Sequence, residues 1–226
     1  MSLPADLFTI PPWAKSSHLI TTPRLILRTV NPILDVKASL HIRSDPLNNP
    51  FGGCDTIESR NEEEHIALLE HQVLTTASGG SGFLVIILKP DANCHEGIED
   101  FMVEDGVMIG LTGFARLSME NDSDEKEVFI GYIAMLIDRH FTRNGYAREA
   151  LCAVFEYGFE TLAAGRLIVD TSAPNIPMIT LMEEMGCGKG TEWLCKVEGE
   201  SIRWEFTYED WERVKNCMKM KGQWPL

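Results

Sequence analysis

Between Val128 and Thr171 the chain follows a pattern that few folds accommodate. Val128 to Ile137 is a continuous apolar run of strand length, and a polar turn, Asp138 to Ala147, follows it. From Tyr146 to Ala163, Ala147, Leu151, Val154, Phe155, Phe159 and Leu162 recur at helical spacing. Arg148, Glu149, Glu156 and Glu160 lie off that stripe. Gly165 ends the helix, and Arg166 to Thr171 reads as a second strand. A strand, a helix and a strand in this order make a crossover between parallel neighbours, because a helix spans the length that a hairpin turn cannot.

The rest of the chain supplies antiparallel material around that unit. Thr21 to Arg28 reads as a strand entered through Pro23. Helices are expected from Asn31-Pro32 to about Asp45 and from Glu58 to Thr76, the second with Glu62, Glu63 and Glu64 where acids suit the helix dipole. Strands are expected at Phe83 to Leu88 and Val107 to Leu117, with a polar loop from Lys89 to Asp105 between them. After the crossover come a short helix from Asn175 to Met185 closed by Gly186, a hairpin from Trp193 to Val197 and Ile202 to Tyr208, and a helix from about Asp210 to Met220. With no internal repeat or linker, this predicts one mixed α/β (α+β) domain over residues 18–226, preceded by an irregular arm over residues 1–17.

Charge and composition narrow the function classes. A net charge of −14 disfavours nucleic acid, whose phosphates would be repelled, and favours a cationic partner. Glu96, Glu99, Asp100, Glu104 and Asp105 would contribute to that attraction. No apolar run reaches the roughly 18 residues of a membrane span. The first residues, Met1-Ser2-Leu3-Pro4-Ala5-Asp6, lack a basic flank and an apolar segment, so no secretory signal is expected. The six cysteines form no CxxC pair and the histidines are isolated, so reduced thiols, a cytoplasmic location and no metal site are expected.

The turn before the long helix carries the chemistry. In Thr142-Arg143-Asn144-Gly145-Tyr146-Ala147, a glycine and a small residue at a helix start let backbone N–H groups approach an anion, and Arg143 adds positive charge. On the residues alone this is either a pyrophosphate cradle or an ordinary strand-to-helix turn. Two other motifs fail on context. Gly186-Cys187-Gly188-Lys189-Gly190-Thr191 would need the first glycine of a P-loop where Glu183 stands, and a strand follows it instead of a helix. Cys54 has no His/Asn pattern to make it a nucleophile.

Arg143-Asn144-Gly145-Tyr146-Ala147-Arg148-Glu149-Ala150-Leu151 resembles the acyl-CoA motif of the GNAT superfamily of N-acetyltransferases. Three further segments resemble that family in the same order. They are Thr22 to Arg28, the Asn175 to Gly186 segment, and Arg203 to Trp211; the first and last resemble the branch that acetylates ribosomal-protein N-termini. The resemblance implies a mostly antiparallel central sheet of about seven strands, with helices on both faces and a splayed parallel pair formed by the fourth and fifth strands. It implies acetyl-CoA as co-substrate and no metal. Backbone groups at Met135, Leu136 and Ile137 would meet the pantetheine arm, the amides of Thr142, Arg143, Asn144, Gly145, Tyr146 and Ala147 would hold the pyrophosphate, and Asn175 would steady the arm or the adjoining loop. The implied reaction is direct attack of a neutral amine on the thioester.

The sequence also departs from the family pattern. Thr142 stands where Arg or Gln is usual, Met182 near a usual tyrosine, and Cys187 in place of a phenylalanine. Counting back without gaps puts the family's strand glycine at Ala134, whereas Gly131 requires a longer loop. Glu127 and Tyr132 are the candidates for proton transfer. A noncatalytic CoA-binding protein of the same fold, or an acidic interaction module, remains the alternative.

Overall fold

The computed structural model of the chain describes residues 10–48, 50–51, 61–90, 98–122, 124–195 and 199–226. Among these residues the frame is a sheet of nine strands. They are β1 (Leu19–Thr21), β2 (Leu25–Thr29), β3 (Gly82–Leu88), β4 (Met102–Val103), β5 (Gly106–Asn121), β6 (Glu127–Ile137), β7 (Arg166–Ser172), β8 (Thr191–Cys195) and β9 (Gly199–Phe206). The strand order is β1-β2-β3-β5-β6-β7-β9-β8, with β4 paired to β5 alone. Every pairing is antiparallel except β6 with β7, the pair that the crossover demands.

Two strands beyond the expected seven come from short segments. The stretch read as one strand from Thr21 is a hairpin of β1 and β2, turned at Thr22, whose N–H reaches the Leu25 carbonyl at 3.0 Å. Within the Lys89 to Asp105 loop, a 3₁₀ turn at Glu99–Phe101 buries Phe101 against Phe141 and leads into β4. The third expected strand is longer than its apolar run, because β5 continues to Asn121 opposite Glu127.

Among the described residues five α-helices cover the sheet: α1 (Val36–Ser44), α2 (Glu62–Ala77), α3 (Tyr146–Glu156), α4 (Ile176–Met185) and α5 (Tyr208–Met220). Asn61 caps α2 with a full capping box, its side chain accepting from the Glu64 amide; the expected start at Glu58 lies outside the described residues. The apolar stripe read to Ala163 is α-helical only to Glu156 and then widens into a π turn, Tyr157–Thr161. Close approach explains where the glycines fall. A Cβ on Gly131 of β6 would lie 2.9 Å from both Leu167 and Phe114, and one on Gly158 would lie 2.9 Å from Leu167. α3 and its π turn therefore sit directly on the sheet, filling one face with Leu151, Val154 and Phe155.

On the opposite face Ile42 of α1 shares a small cavity with Phe83, Leu111, Ala134 and Leu136. Alternation along β6 thus sends Ala134 and Leu136 toward α1 and Gly131 toward α3. The arm before β1 docks on the sheet: Trp13 stacks on Phe129 with centroids 4.0 Å apart, and its indole N–H donates to the Gly79 carbonyl at 2.9 Å.

Candidate active site

β6 and β7 begin as neighbours and end apart. Their parallel ladder runs from Ile130↔Arg166 to Ile133↔Val169 and stops there, while β6 continues to Ile137 and β7 to Ser172. From Ala134 onward, β6 keeps its partner β5 but has no ladder on the side facing β7. Gly131 remains inside the paired, packed part, and the splay starts at Ala134, the position that gapless counting gives.

The opening is a cleft of about 600 Å³. Met135, Leu136 and Ile137 form one wall, Asp170, Thr171 and Asn175 the other, and Thr142, Arg143, Gly145, Tyr146 and Ala147 the end at the start of α3. A second cavity of about 110 Å³ on the α1 side shares Asn48, Ala134, Met135 and Leu136 with it, so the splay is reached from both faces of the sheet.

The loop at the α3 start has the character of an anion cradle. Arg143 has φ +64° and Gly145 φ +79°, a left-handed turn geometry that gathers successive N–H groups on one concave side. No side chain caps α3. Among the described residues, the amides of Arg143, Asn144, Gly145, Tyr146 and Ala147 meet no acceptor, as the first N–H groups of a helix do unless something supplies one. The Asn144 side chain braces the loop from within, donating to the Phe141 carbonyl at 3.3 Å and the Thr142 carbonyl at 3.0 Å. Arg139, Arg143 and Arg148 line the same cleft in a chain of net charge −14. Free amides, an uncapped helix start and clustered guanidinium groups fit a polyphosphate.

Asn175 caps α4, accepting from the Met178 amide at 3.2 Å, and its Nδ2 donates to Thr171 Oγ1 at 2.8 Å, so it stitches the far wall together. Met182, near the expected tyrosine position, is fully buried; Pro177, Met178, Thr180, Leu181 and Glu184 are the residues of α4 that line the cleft.

The two proton-transfer candidates lie in different places. Glu127 opens β6 opposite Asn121 and is exposed. Seven residues of strand, roughly 23 Å, separate it from Ala134, so the structure does not bring it to the cleft. Tyr132 is two residues before Ala134 on the α1 face. Its hydroxyl donates to Glu120 Oε2 at 3.0 Å and its ring lies under the Arg116 guanidinium at 4.0 Å. Burial, and then the hydrogen bond to Glu120, raises the Tyr132 hydroxyl above its usual range and keeps it protonated. Burial works to raise the Glu120 carboxyl too, but hydrogen bonds from Ser118 and Tyr132, with Arg116 and Arg203 nearby, bring it below its usual range.

Two site features had little sequence signal. Asp170 stands in the apolar strand β7, lines the cleft, and is held by Arg203 through contacts of 2.8 and 2.7 Å. Its register places it on the α1 face with Ile168 and Tyr132. The segment after α1 also reaches the cleft: Leu47, Asn48, Pro50 and Phe51 line it. Asn48 is anchored there by Asp138, which is fully buried, at 2.7 Å, and accepts from the Arg139 amide at 2.8 Å. Of the acids expected to attract a cation, Asp105 is paired with Arg28 at 2.7 Å, and Glu96 lies outside the described residues. Among the described residues no cluster of His, Cys, Asp and Glu could hold a metal ion, and no helix is long and apolar enough to cross a membrane.

A sheet splayed beside a helix-capped amide loop is the mark of an acyltransferase fold, and comparison with known proteins agrees. The profile of the acetyltransferase (GNAT) domain matches residues 24–188, and the chain belongs to that family of acetyltransferase enzymes. Solved structures share the fold at low identity. A GCN5-related N-acetyltransferase from Brucella melitensis is 14% identical, with a TM-score of 0.66, over 94% of this chain and 86% of that one. The microcin self-immunity acetyltransferase MccE, in complex with acetyl-CoA and AMP, is 13% identical with a TM-score of 0.59, over 88% and 98%. RimL, a ribosomal alpha-N-protein acetyltransferase, in complex with coenzyme A, is 15% identical with a TM-score of 0.60, over 85% and 99%. No functionally curated protein matches the sequence.

Proposed function

We propose that the chain transfers an acetyl group from acetyl-CoA to a primary amine, either a peptide N-terminus or a small-molecule amine, by direct attack. The observation that carries this reading is that the splay of β6 from β7 ends at the acceptor-free amides of Arg143 to Ala147. Acetyl-CoA supplies an activated acyl thioester. The β7-facing backbone of Met135, Leu136 and Ile137 offers the pantetheine arm a strand edge to pair with, and the amides of Arg143 to Ala147 take the pyrophosphate, that of Thr142 being held by the Arg139 carbonyl at 3.4 Å. That RimL binds coenzyme A and MccE acetyl-CoA on the same fold supports this donor.

The amine enters from the α1 side, where the smaller cavity meets the splay. Asp170, on the wall of the main cleft and on the α1 face by register, takes the amine proton through water, with Arg203 holding its position. Tyr132, protonated and on the same face, gives a proton to the leaving thiolate in this reading, parting from Glu120 to do so. Glu127 is too remote for the part the sequence offered it. Cys152, Cys187, Cys195 and Cys217 are free thiols, which suits a cytoplasmic location.

Calorimetry with acetyl-CoA, followed by CoA release across a panel of amines that includes basic peptides, tests the reading. Saturable binding with turnover is expected. Binding without turnover on any amine would leave a CoA-binding protein, a reading that the absence of a tyrosine from the cleft face of α4 favours. No binding would end both.

A further inference from the structure

The segment Thr22 to Arg28 leads from the β1–β2 turn into β2 and is bonded to the start of α3 and to the proposed cofactor loop before it. Glu149, in the first turn of α3, is 1% exposed. Its Oε1 accepts from Thr22 Oγ1 at 2.6 Å and from the Arg24 amide at 2.9 Å, and its Oε2 accepts from Arg24 Nε at 2.6 Å. The same guanidinium continues past the carboxylate: Arg24 Nη1 donates to the Asn144 carbonyl at 2.9 Å, and the group lies over the Tyr146 ring at 4.6 Å. A Cβ on Gly145 would come within 3.4 Å of Arg24 Nη2. One arginine therefore spans the helix and the loop before it, touching three consecutive residues of the amide turn.

We propose that Arg24 and Glu149 are positioning residues for the phosphate-binding loop, acting on the phosphates of the CoA-type donor through the Asn144 carbonyl. The inference rests on the cofactor reading above. Arg143 and Gly145 both hold left-handed backbone, which costs free energy at the arginine and persists only where neighbours enforce it. Tying the carbonyl between them to the turn that joins β1 and β2 fixes the direction of the amides on either side. Those amides are then set before the anion arrives, and binding loses less to loop ordering. The geometry requires arginine, because Nε and Nη1 must serve two partners at once and an ammonium cannot span them.

The test compares Arg24→Lys with the parent protein, using CoA and pantetheine, which lacks the phosphates. Calorimetry reads the first and ligand-observed NMR the second. Lysine keeps a charge beside Glu149 and releases Asn144, so the dissociation constant for CoA is expected to rise about tenfold, with that for pantetheine unchanged within about twofold. The double variant Arg24→Gln, Glu149→Gln, which leaves no unpaired buried charge, should show the same selective loss if its unliganded melting temperature stays near the parent's. Equal CoA affinity in both variants, or an equal loss for CoA and pantetheine, overturns the proposal and leaves the pair as a strand–helix clamp. Failure of the parent itself to bind CoA would overturn the cofactor reading instead.

Discussion

The two ends of β6 are built from similar apolar residues and meet opposite conditions. Both ends are paired with β5, but at the Glu127 end Phe129 lies under Trp13, its carbonyl accepts from the Gly165 amide at 2.9 Å, and a Cβ on Gly165 would press on Val128 at 2.8 Å. At the Ile137 end the ladder with β7 is missing and the strand edge borders the cleft. The closed end stores packing, and the open end leaves hydrogen-bonding groups ready for a ligand. Substitutions at the open end should therefore change binding or turnover at nearly constant stability, and those at the closed end should do the reverse.

The largest effect is expected at the cradle. Gly145→Val places a branched side chain at φ +79°, 3.4 Å from Arg24, and should weaken acetyl-CoA binding by about a hundredfold in calorimetry. Affinity equal to the parent's would move the cradle elsewhere. Next comes Asp170→Asn, which keeps shape and removes the carboxylate. Turnover of an accepted amine should fall about thirtyfold or more, with acetyl-CoA affinity little changed and the loss shrinking at high pH, where the amine is already neutral. A turnover number close to the parent's would return Asp170 to a structural partner of Arg203.

At the closed end the measurable property is stability. His18 is buried, its Nδ1 2.8 Å from the Tyr157 hydroxyl, and burial followed by the nearby Lys15 charge lowers its pKa to about 4. The folded protein holds it neutral while the unfolded chain protonates it near 6.5. Its contribution is thus complete above pH 6.5 and is lost progressively as pH falls toward 4, by about 2 kcal/mol at pH 5. Between pH 7 and 5 the melting temperature should drop several degrees more in the parent than in His18→Gln, with CoA affinity unaffected by the substitution. Identical pH profiles would remove His18 from the account. The smallest effect is expected for Glu127→Gln, where turnover should stay within about twofold because the side chain is roughly 23 Å of strand from the splay. A loss of tenfold or more there would break the contrast between the two ends.

What the sequence reveals follows the range of the forces involved. The crossover from β6 through α3 to β7 is legible because its apolar periodicity is local and long. The amide turn is legible because Gly145 marks a backbone that other residues rarely adopt. β1 and β4, of three and two residues, are too short to show a period. The π turn at Tyr157–Thr161 keeps the apolar stripe of the helix, so spacing alone does not distinguish it. Asp170 carried one readable sign, a carboxylate inside an apolar strand, while its partner Arg203 is supplied by a strand that arrives after α4 and β8. The Arg24–Glu149 contact joins residues 125 positions apart and leaves no local trace.

The strand order also sets a schedule for synthesis. β7, one wall of the cleft, is held on its inner edge by only the four register pairs from Ile130↔Arg166 to Ile133↔Val169. Its outer edge is covered by β9, from Leu167↔Phe206 to Ser172↔Ser201. On a ribosome β6, α3 and β7 emerge first, and β9 must then insert between β7 and β8. Until Phe206 leaves the exit tunnel, β7 presents an open edge of the kind that invites pairing with other chains. A nascent chain halted before that point would carry the whole amide turn without a fixed opposite wall. On the proposed reading, capacity to hold a donor is acquired only after Phe206 has emerged and the hairpin of β8 and β9 closes over β7.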